Sequence, residues 1–414
     1  LLTAAEGVNG AFNALTTNLV FIDPQLIYDP NNVALQFVRN DEDFEDIGDT
    51  ENEQEAGGGT DSLDEGHPIW DEVVWLDEDQ ARDAFDQLSG EIHASIRGSL
   101  IESSGTARQM AMSRLWEATC GVSNQNAGNN RNANLHCGDD DRSALWIRGI
   151  GSWASANTNG NAAKFARSTG GFFFGGDGAL TSSTRLGLFS GFNHSTFDVK
   201  ARNSNGDSKD YHLGAYIGSQ QTALAVRVAA SYTFHQINTR RAVAFGNFSD
   251  HLSAQYNAGT AQVSGELGHS FVGARGSIEP FVNAAYVNLR TQSFTERGGP
   301  AALRVQGNNT DGLFSTLGLH WASAVDAGNT RITATGTLGW RHAFSDTVPT
   351  ASMSIEGGDA FRIAGAPLAR NAALADLGLN FTTGPNSTLG IAYNGVFGSD
   401  FTDNGARLTF RLRF

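Results

Sequence analysis

The sequence predicts an all-β transmembrane fold: a 12-stranded antiparallel up-and-down barrel with an α-helical plug in its lumen, preceded by a short β-solenoid remnant. Three observations predict this fold. Segments of about ten residues alternate in polarity from residue 144 to the C-terminus. Short and long connections between these segments alternate along most of the chain. A polar helical segment precedes them, and no apolar run approaches the roughly 20 residues of a membrane-spanning helix.

The composition narrows the possible classes of protein. Glycine is abundant, with 49 residues against 8 prolines, and charged residues make up 17% of the chain, which is below the roughly 25% of a soluble protein. The net charge of −16 argues against a nucleic-acid-binding protein, which usually carries a basic patch. Since the chain begins Leu1-Leu2 without an initiator Met or a signal peptide, we expect an export signal upstream of it.

Residues 1–38 contain two short strand-like runs, at 19–22 and 33–37, with turn residues at 23–24 and 29–32. Alone these runs are too short to bury a core. We therefore expect residues 1–38 to be the C-terminal edge of a larger β-helix-like structure.

Residues 39–76 begin with an acidic stretch that contains three consecutive glycines at 57–59. Like charges repel one another and little apolar surface is available, so the sequence predicts a flexible, solvated linker. A calcium site is the alternative. The stretch lacks the ligand spacing of an EF-hand, which argues against it.

Residues 77–118 have a helical pattern. Asp77 suits the N-cap position, and Glu78 and Asp79 favour the first turn because the helix dipole attracts anions there. Glycines predict a break near 103–106. The segment is too polar for a dry core, so we expect it to lie in a water-lined cavity.

Residues 119–143 form a polar loop with the two cysteines of the chain, Cys120 and Cys137. In an exported protein their spacing favours one disulfide that closes a short loop. Two free thiols are the alternative. Metal binding is disfavoured because only His136 lies nearby.

Residues 144–414 carry the barrel pattern. In the segment from 330 to 342, Ile332, Leu338 and Trp340 share one face and Thr333 and Arg341 the other. A soluble β-sandwich would not explain the regular change between short and long connections. Twelve segments begin near residues 144, 168, 183, 208, 222, 254, 277, 311, 330, 372, 386 and 404.

Short connections are expected at 179–182, 218–221, 272–276, 325–329 and 383–386. Long connections are expected at 155–167, 199–207, 240–253, 290–310 and 344–371, with 399–403 as the exception. Short turns on one rim and long loops on the other are typical of bacterial outer-membrane barrels, and an even number of strands places both barrel ends on the short-turn, periplasmic rim.

Several motifs resemble the autotransporter β-domain family. They include Pro68-Ile-Trp-Asp71, Trp146-Ile-Arg-Gly-Ile-Gly-Ser-Trp153, Tyr211-His-Leu-Gly-Ala-Tyr216, Leu338-Gly-Trp-Arg-His-Ala-Phe344 and the final Phe414. The resemblance implies type V secretion, in which the barrel inserts in the outer membrane, the helix stays threaded through it and a passenger reaches the cell surface. Residues 1–38 would then be the tail of that passenger. Some members cut the helix between adjacent Asn residues, but Asn129-Asn130 lies outside the predicted helix, so autocleavage is not carried over.

The resemblance also implies partners. We expect outer-membrane lipids and lipopolysaccharide, the barrel-assembly machinery and the chain's own passenger, with the barrel a monomer, the passenger end extracellular and the C-terminus periplasmic. The assembly machinery is expected to recognise the alternating apolar residues of the last strand, Leu408, Phe410, Leu412 and Phe414.

The candidate functional residues are polar side chains predicted to face one another across the lumen. On the helix they are Arg82, Glu91, His93, Arg97 and Glu102. On the barrel wall they are Arg227, Gln262, Ser264, Glu266, Arg341, Asp376, Asn380 and Arg411. We expect the two sets to hydrogen-bond, because a plugged lumen would otherwise bury charges without partners. The alternative is that the wall residues only line water.

The sequence contains no recognisable catalytic constellation, cofactor motif or metal site. Residues 187–191 lack the glycine spacing of a nucleophile elbow. Asp207, Asp210 and His212 are interpreted as solvated loop charges, because spacing alone does not build a shared site.

Two other functions remain open. A free-standing porin or channel would show large steady conductance as the intact chain. An outer-membrane hydrolase that works from its long loops would keep its activity in residues 140–414 alone.

Overall fold

A computed structural model describes residues 2–119, 143–221, 223–273, 276–327 and 330–414. Within them, twelve long antiparallel strands form one closed sheet, in which each strand pairs with its neighbours in sequence. The predicted 12-stranded barrel is therefore confirmed. The strands are β1 (Ala144–Ala156), β2 (Phe165–Thr181), β3 (Thr184–Val199), β4 (Ser204–Gln221), β5 (Leu224–Phe245), β6 (Phe248–His269), β7 (Gly276–Thr291), β8 (Asn308–Ala327), β9 (Thr330–Ala343), β10 (Asn371–Thr382), β11 (Ser387–Gly398) and β12 (Phe401–Arg413).

The barrel closes where its first strand pairs with its last. The register of β1 and β12 runs from Ala144 opposite Arg413 to Ala156 opposite Phe401. A closed ladder leaves no strand edge with unpaired backbone groups, which is the condition for a β-structure inside hydrocarbon.

The pleat of each strand sorts its side chains onto two faces. On β5, Val226, Val228 and Tyr232 point outward and are exposed, whereas Arg227 and Thr233 point inward and are buried. The same alternation around the sheet gives the barrel an apolar exterior and a polar lumen.

The connections give the barrel two different rims. The short-turn rim carries turns such as residues 182–183 and 383–386, and the long-loop rim carries connections such as residues 292–307 and 344–370. The predicted loop at 240–253 is wrong, because β5 and β6 continue to Phe245 and Phe248 and pair there across a two-residue turn. Beyond the membrane the outer face of a strand can be polar, because water and not lipid surrounds it. The apolar pattern therefore ends before the strand pairing of β5 and β6 does.

Four α-helices precede the barrel in the described residues: α1 (Glu51–Asp61), α2 (Pro68–Val73), α3 (Glu78–Leu88) and α4 (Glu91–Thr119). The predicted helix at 77–118 is therefore two helices. Asp77 caps α3 by accepting a hydrogen bond from the Gln80 backbone N–H. The predicted break near 103–106 is wrong, because α4 is continuous there and the chain turns instead at Gly90, whose φ is +63°. No helix in these ranges is long and apolar enough to cross a membrane.

Residues 39–76 do not form the predicted solvated linker. A capping box between Thr50 and Glu53 starts α1, and apolar residues before, within and after the helix join a buried core. The partners of this core come from distant connections, among them Leu303 and Met353. The prediction was wrong because it considered only the apolar residues within the segment.

The long connections at 292–307 and 344–370 carry a small four-stranded sheet, made of Phe294–Thr295, Leu303–Val305, Thr350–Ile355 and Phe361–Ala364. Together with residues 41–90 and the tip of the β5–β6 hairpin, this sheet forms a structure that we call the cap. The cap covers the long-loop rim.

The N-terminal residues form an antiparallel hairpin, Ile22–Asp29 paired with Asn32–Arg39, to which Leu2–Thr3 adds a short third strand. The predicted turn at 29–32 lies at its tip. The predicted turn at 23–24 is wrong, because Pro24 lies within the edge strand, where the missing N–H of proline is tolerated.

Candidate functional site in the barrel lumen

Helix α4 occupies the lumen from one rim to the other. Its first residue, Glu91, accepts a hydrogen bond from the Ala163 N–H in the β1–β2 connection at the long-loop rim, with an N–O distance of 2.9 Å. Near its other end, Glu117 bonds to Arg411 near the C-terminus, at 3.1 Å. With about 1.5 Å of rise per residue, its 29 residues span roughly 43 Å.

At the long-loop rim, Arg202 joins the end of α3 to the start of α4. Its guanidinium donates to Asp86 at 2.6 Å and to Glu91 at 3.1 Å. Burial raises the pKa of Glu91 to about 7 and that of Asp86 to about 6, although Arg202 opposes both shifts. Two carboxylates thus share one arginine, and their protonation changes the charge at the joint between the helices.

The next turn of α4 is fixed to the cap. His93 Nε2 lies 2.8 Å from a Glu296 oxygen, and Arg241 forms a bidentate pair with the same carboxylate at 2.9 and 2.8 Å. Arg97 donates to the backbone oxygens of Gln306 and Thr350 at 2.6 and 2.8 Å. These contacts tie the helix to both long connections of the cap.

In the middle of the barrel, α4 makes polar contacts with three wall residues predicted from the sequence. Glu102 pairs with Arg341 at 2.7 Å. The Ser104 backbone oxygen accepts a hydrogen bond from Gln262 at 3.0 Å. Gln109 donates to Asp376 at 2.7 Å.

A further group of ion pairs lies near the short-turn rim. Arg114 of α4 holds Asp177 through two hydrogen bonds of 2.6 and 2.8 Å, and Arg185 donates to the same carboxylate. Glu117 pairs with Arg148 and with the predicted Arg411, both at 3.1 Å. Buried charges are tolerated when partners satisfy them in this way, and removing one partner is costly.

Arg227 and Glu266 face the lumen and form ion pairs along the wall. Arg227 donates to Glu266 at 2.9 Å and to Glu279 at 2.5 Å, and His320 lies 3.4 Å from Glu266. Glu266, Glu279 and His320 are close enough to hold a metal ion. The Arg227 guanidinium already supplies a cation to both carboxylates, so this cluster is a wall-stabilising network.

Other predicted residues lie elsewhere. Arg82 is on α3 in the cap, where it donates to the Ile47 backbone oxygen at 2.8 Å, so its predicted place in the lumen is wrong. In the described part of the chain, Ser264 and Asn380 make no hydrogen bond to α4. The predicted disulfide of Cys120 and Cys137, like Asn129-Asn130, lies outside the described residues.

Sequence reasoning missed several lumen residues: Arg108, Arg114 and Glu117 on α4, and Arg148, Asp177, Glu279 and Arg407 on the wall. The alternation pattern contained the signal for the wall residues. Arg407, for example, falls on the inward face of β12 beside the predicted Arg411. The α4 residues were missed because the predicted helix break near 103–106 limited the candidate residues to those that precede it.

The outer surface of β12 presents the four residues predicted as an insertion signal. Leu408, Phe410, Leu412 and Phe414 alternate along the strand, and all four side chains are exposed. They belong to the apolar exterior and make no part of the lumen.

Residues 145–394 match the autotransporter β-domain family. Two extracellular serine proteases from Serratia marcescens are 30% and 28% identical to this chain, over 100% of it and 43% of each relative. The chain therefore spans less than half the length of these relatives. The solved translocator domain of the autotransporter NalP from Neisseria meningitidis covers 76% of this chain and 98% of its own, with 14% identity and a TM-score of 0.56, which shows the same fold.

Proposed function

Because this chain belongs to the autotransporter family and its barrel is that family's translocator domain, we propose that the barrel carries its own N-terminal passenger across the bacterial outer membrane. The barrel itself is an outer-membrane structure and is not catalytic. One observation carries the proposal: α4 runs through the closed barrel and joins the N-terminal residues at one rim to the barrel strands at the other.

The proposed orientation places the long-loop rim and the cap outside the cell and the C-terminus in the periplasm. Short periplasmic turns and longer outer loops are the usual arrangement in bacterial barrels, which supports this assignment. Residues 1–38 would then be the tail of the passenger on the outer surface.

A deletion of residues 91–118 tests the translocation proposal. We expect the variant to lose surface exposure of an N-terminal epitope and to show large steady conductance in planar bilayers, because nothing then fills the lumen. The intact chain should display the epitope and conduct weakly. If the deletion changed neither property, the plug would have no role in secretion. Large steady conductance of the intact chain would favour a free-standing porin instead.

The passenger is proposed to be a serine protease. The support is the name of the two Serratia marcescens relatives, which extend well beyond the matched part of this chain. Cells that express the whole protein should release protease activity that a serine-directed inhibitor abolishes. Release of equal activity by residues 140–414 alone would place the chemistry in the barrel and contradict the proposal.

Insertion is proposed to depend on the barrel-assembly machinery and on the outward residues of β12. Phe414 is the most exposed of the four, at 62%. Replacing Phe414 with Ala should reduce the amount of folded barrel in the outer membrane, whereas Leu389→Ala on the outer face of β11 should have a smaller effect. Equal effects of both variants would indicate that insertion depends on the apolar outer surface in general and not on a signal in β12.

A further inference from the structure

We propose that the outer surface of β4–β8 holds a phosphorylated glycolipid of the outer leaflet, with an acyl chain in an apolar furrow and a phosphate on Arg290. The assignment to the outer leaflet rests on the proposed orientation of the barrel. The binding site itself rests on two neighbouring concavities on the outside of the wall.

The first concavity is an apolar furrow of about 680 Å³ in the lipid-facing band. Its floor is made of small residues: Ala215 and Ala230 are paired across β4 and β5, and Ala261 lies on β6. Leu213 and Tyr286 stand at its sides and are exposed. An empty furrow in hydrocarbon would lose dispersion contacts, so an acyl chain is expected to fill it.

The second concavity lies directly above, towards the long-loop rim, and has a volume of about 740 Å³. Tyr232 joins the two, because it lines the upper one while its cross-strand partner Ala261 lines the lower. The Tyr232 side chain lies over Gly259, where a Cβ would come within 2.2 Å of its hydroxyl. The furrow therefore adjoins, at Tyr232, an upper recess that is lined mainly by polar residues.

Arg290 supplies the charge of the recess. It lies on the outer face of β7, beside Gly259 on β6 and Asn309 on β8. It is exposed, and in the described ranges it forms no ion pair or hydrogen bond. The nearby Asp311 instead accepts hydrogen bonds from Tyr286 and Asn288, at 2.6 and 2.7 Å.

A guanidinium without a carboxylate, at the end of a lipid-filled furrow, matches a phosphate because its fork of donors fits two phosphate oxygens. Amide side chains around it can bond to hydroxyl groups of a sugar: Asn257, Gln292, Asn308 and Asn309. The combination favours a phosphorylated sugar that carries acyl chains over a simple phospholipid.

The test uses the full chain in detergent and native mass spectrometry, with diphosphoryl lipid A as the probe. Arg290→Gln should reduce the bound fraction about fivefold, as expected for a partly exposed charge pair. Arg240→Gln, an exposed arginine further along β5, should leave it unchanged. Ala230→Leu should reduce binding by filling the furrow, and Ala406→Leu on the outer face of β12 should not.

Heat-modifiable migration on gels confirms that each variant is folded. Dephosphorylated lipid A should bind wild type and Arg290→Gln alike, and inorganic phosphate should not displace the probe. Equal losses of binding in a variant and its control would overturn the proposal. So would equal binding of phosphatidylethanolamine, or non-saturable binding of the probe to many equivalent sites. Translocation is not needed for this assay, and epitope display by the same variants reports separately on the proposed function.

Discussion

Asp177 accepts hydrogen bonds from two buried arginines, Arg114 on the helix and Arg185 on the wall, and also from the Tyr216 hydroxyl at 3.0 Å. Its carboxylate is therefore the charge that joins plug and barrel near the short-turn rim. A neutral amide at this position would leave two guanidinium groups buried without their counter-charge.

We expect Asp177→Asn to lower the free energy of unfolding by about 3 kcal/mol, the usual cost of breaking a buried ion pair. The measurement is urea unfolding in detergent micelles, followed by the gel shift of the folded barrel. Asp400→Asn, which changes an exposed turn residue, should have no measurable effect. An equally small effect of both substitutions would mean that water enters the lumen freely at Asp177.

Glu91 and Asp86 predict a pH dependence at the joint between α3 and α4. Burial raises their pKa values above the ordinary 4.5 and 3.8, to about 7 and about 6. The docked joint therefore binds more protons than the undocked one between about pH 4 and 7. Docking should tighten as the pH falls through this window and weaken as the pH rises through 7.

The protection of the Ala163 amide, which donates to Glu91, measures this docking by hydrogen exchange. After correction for the intrinsic exchange rate, protection should be higher at pH 5 than at pH 8 in the wild type. Glu91→Gln should lose most of this dependence, and the exposed Glu51→Gln should keep it. Protection that increases with pH would contradict the argument.

At the scale of elements, Gly90 decides how α3 and α4 meet. Its φ of +63° is in the region that favours glycine, and a Cβ there would lie 2.3 Å from Leu303 and 2.9 Å from Met353. Gly66 provides a matched control, because its φ is +99° but no atom lies within 4 Å of such a Cβ.

Gly90→Ala should therefore destabilise the cap by about 1–3 kcal/mol more than Gly66→Ala does, because overpacking of the cap core adds to backbone strain. Limited proteolysis between α3 and α4 gives the readout. Cleavage should accelerate in Gly90→Ala well beyond Gly66→Ala. Equal cleavage of the two variants would show that the core of the cap accommodates the extra methyl group without loss of stability.

The sequence predicted the barrel well because each strand carries its own evidence. Alternation along β5 places Val226 outside and Arg227 inside without reference to any other strand, and the turn residues mark where most strands end. The cap could not be predicted in this way. The packing of Phe44 and Ile69 depends on Leu303 and Met353, which lie more than 200 residues away in the chain.

The candidate site was predictable in part for the same reason. The inward face of a strand can be read from its alternation, and this is the basis on which the sequence predicts Arg341, Asp376 and Arg411 as lumen residues. Their partners could not be assigned, because the rotation and depth of α4 follow from the whole lumen. Arg82 was misplaced since nothing in the helical pattern distinguishes the two sides of Gly90.

At the scale of the whole molecule, charge is balanced separately on the plug and on the wall. Helix α4 carries Arg97, Arg108 and Arg114 against Glu91, Glu102 and Glu117. The wall pairs some of its arginines with its own carboxylates, as in Arg407 with Asp376 and Arg167 with Asp403. Three others, Arg341, Arg148 and Arg411, pair with glutamates of the helix. Removing the helix therefore leaves charges of both signs along the open lumen.

The pore left by deletion of residues 91–118 should thus be large but weakly selective between cations and anions. A lumen dominated by one sign would concentrate the opposite ion. The deleted helix takes three arginines and three glutamates with it, so the net charge of the lumen does not change. In a tenfold KCl gradient the reversal potential of the deletion variant should stay close to zero. Adding Arg407→Gln leaves Asp376 without its wall partner and should shift the potential towards cation selectivity. Strong anion selectivity of the deletion variant would contradict this balance, because it would require the wall arginines to outweigh the wall carboxylates.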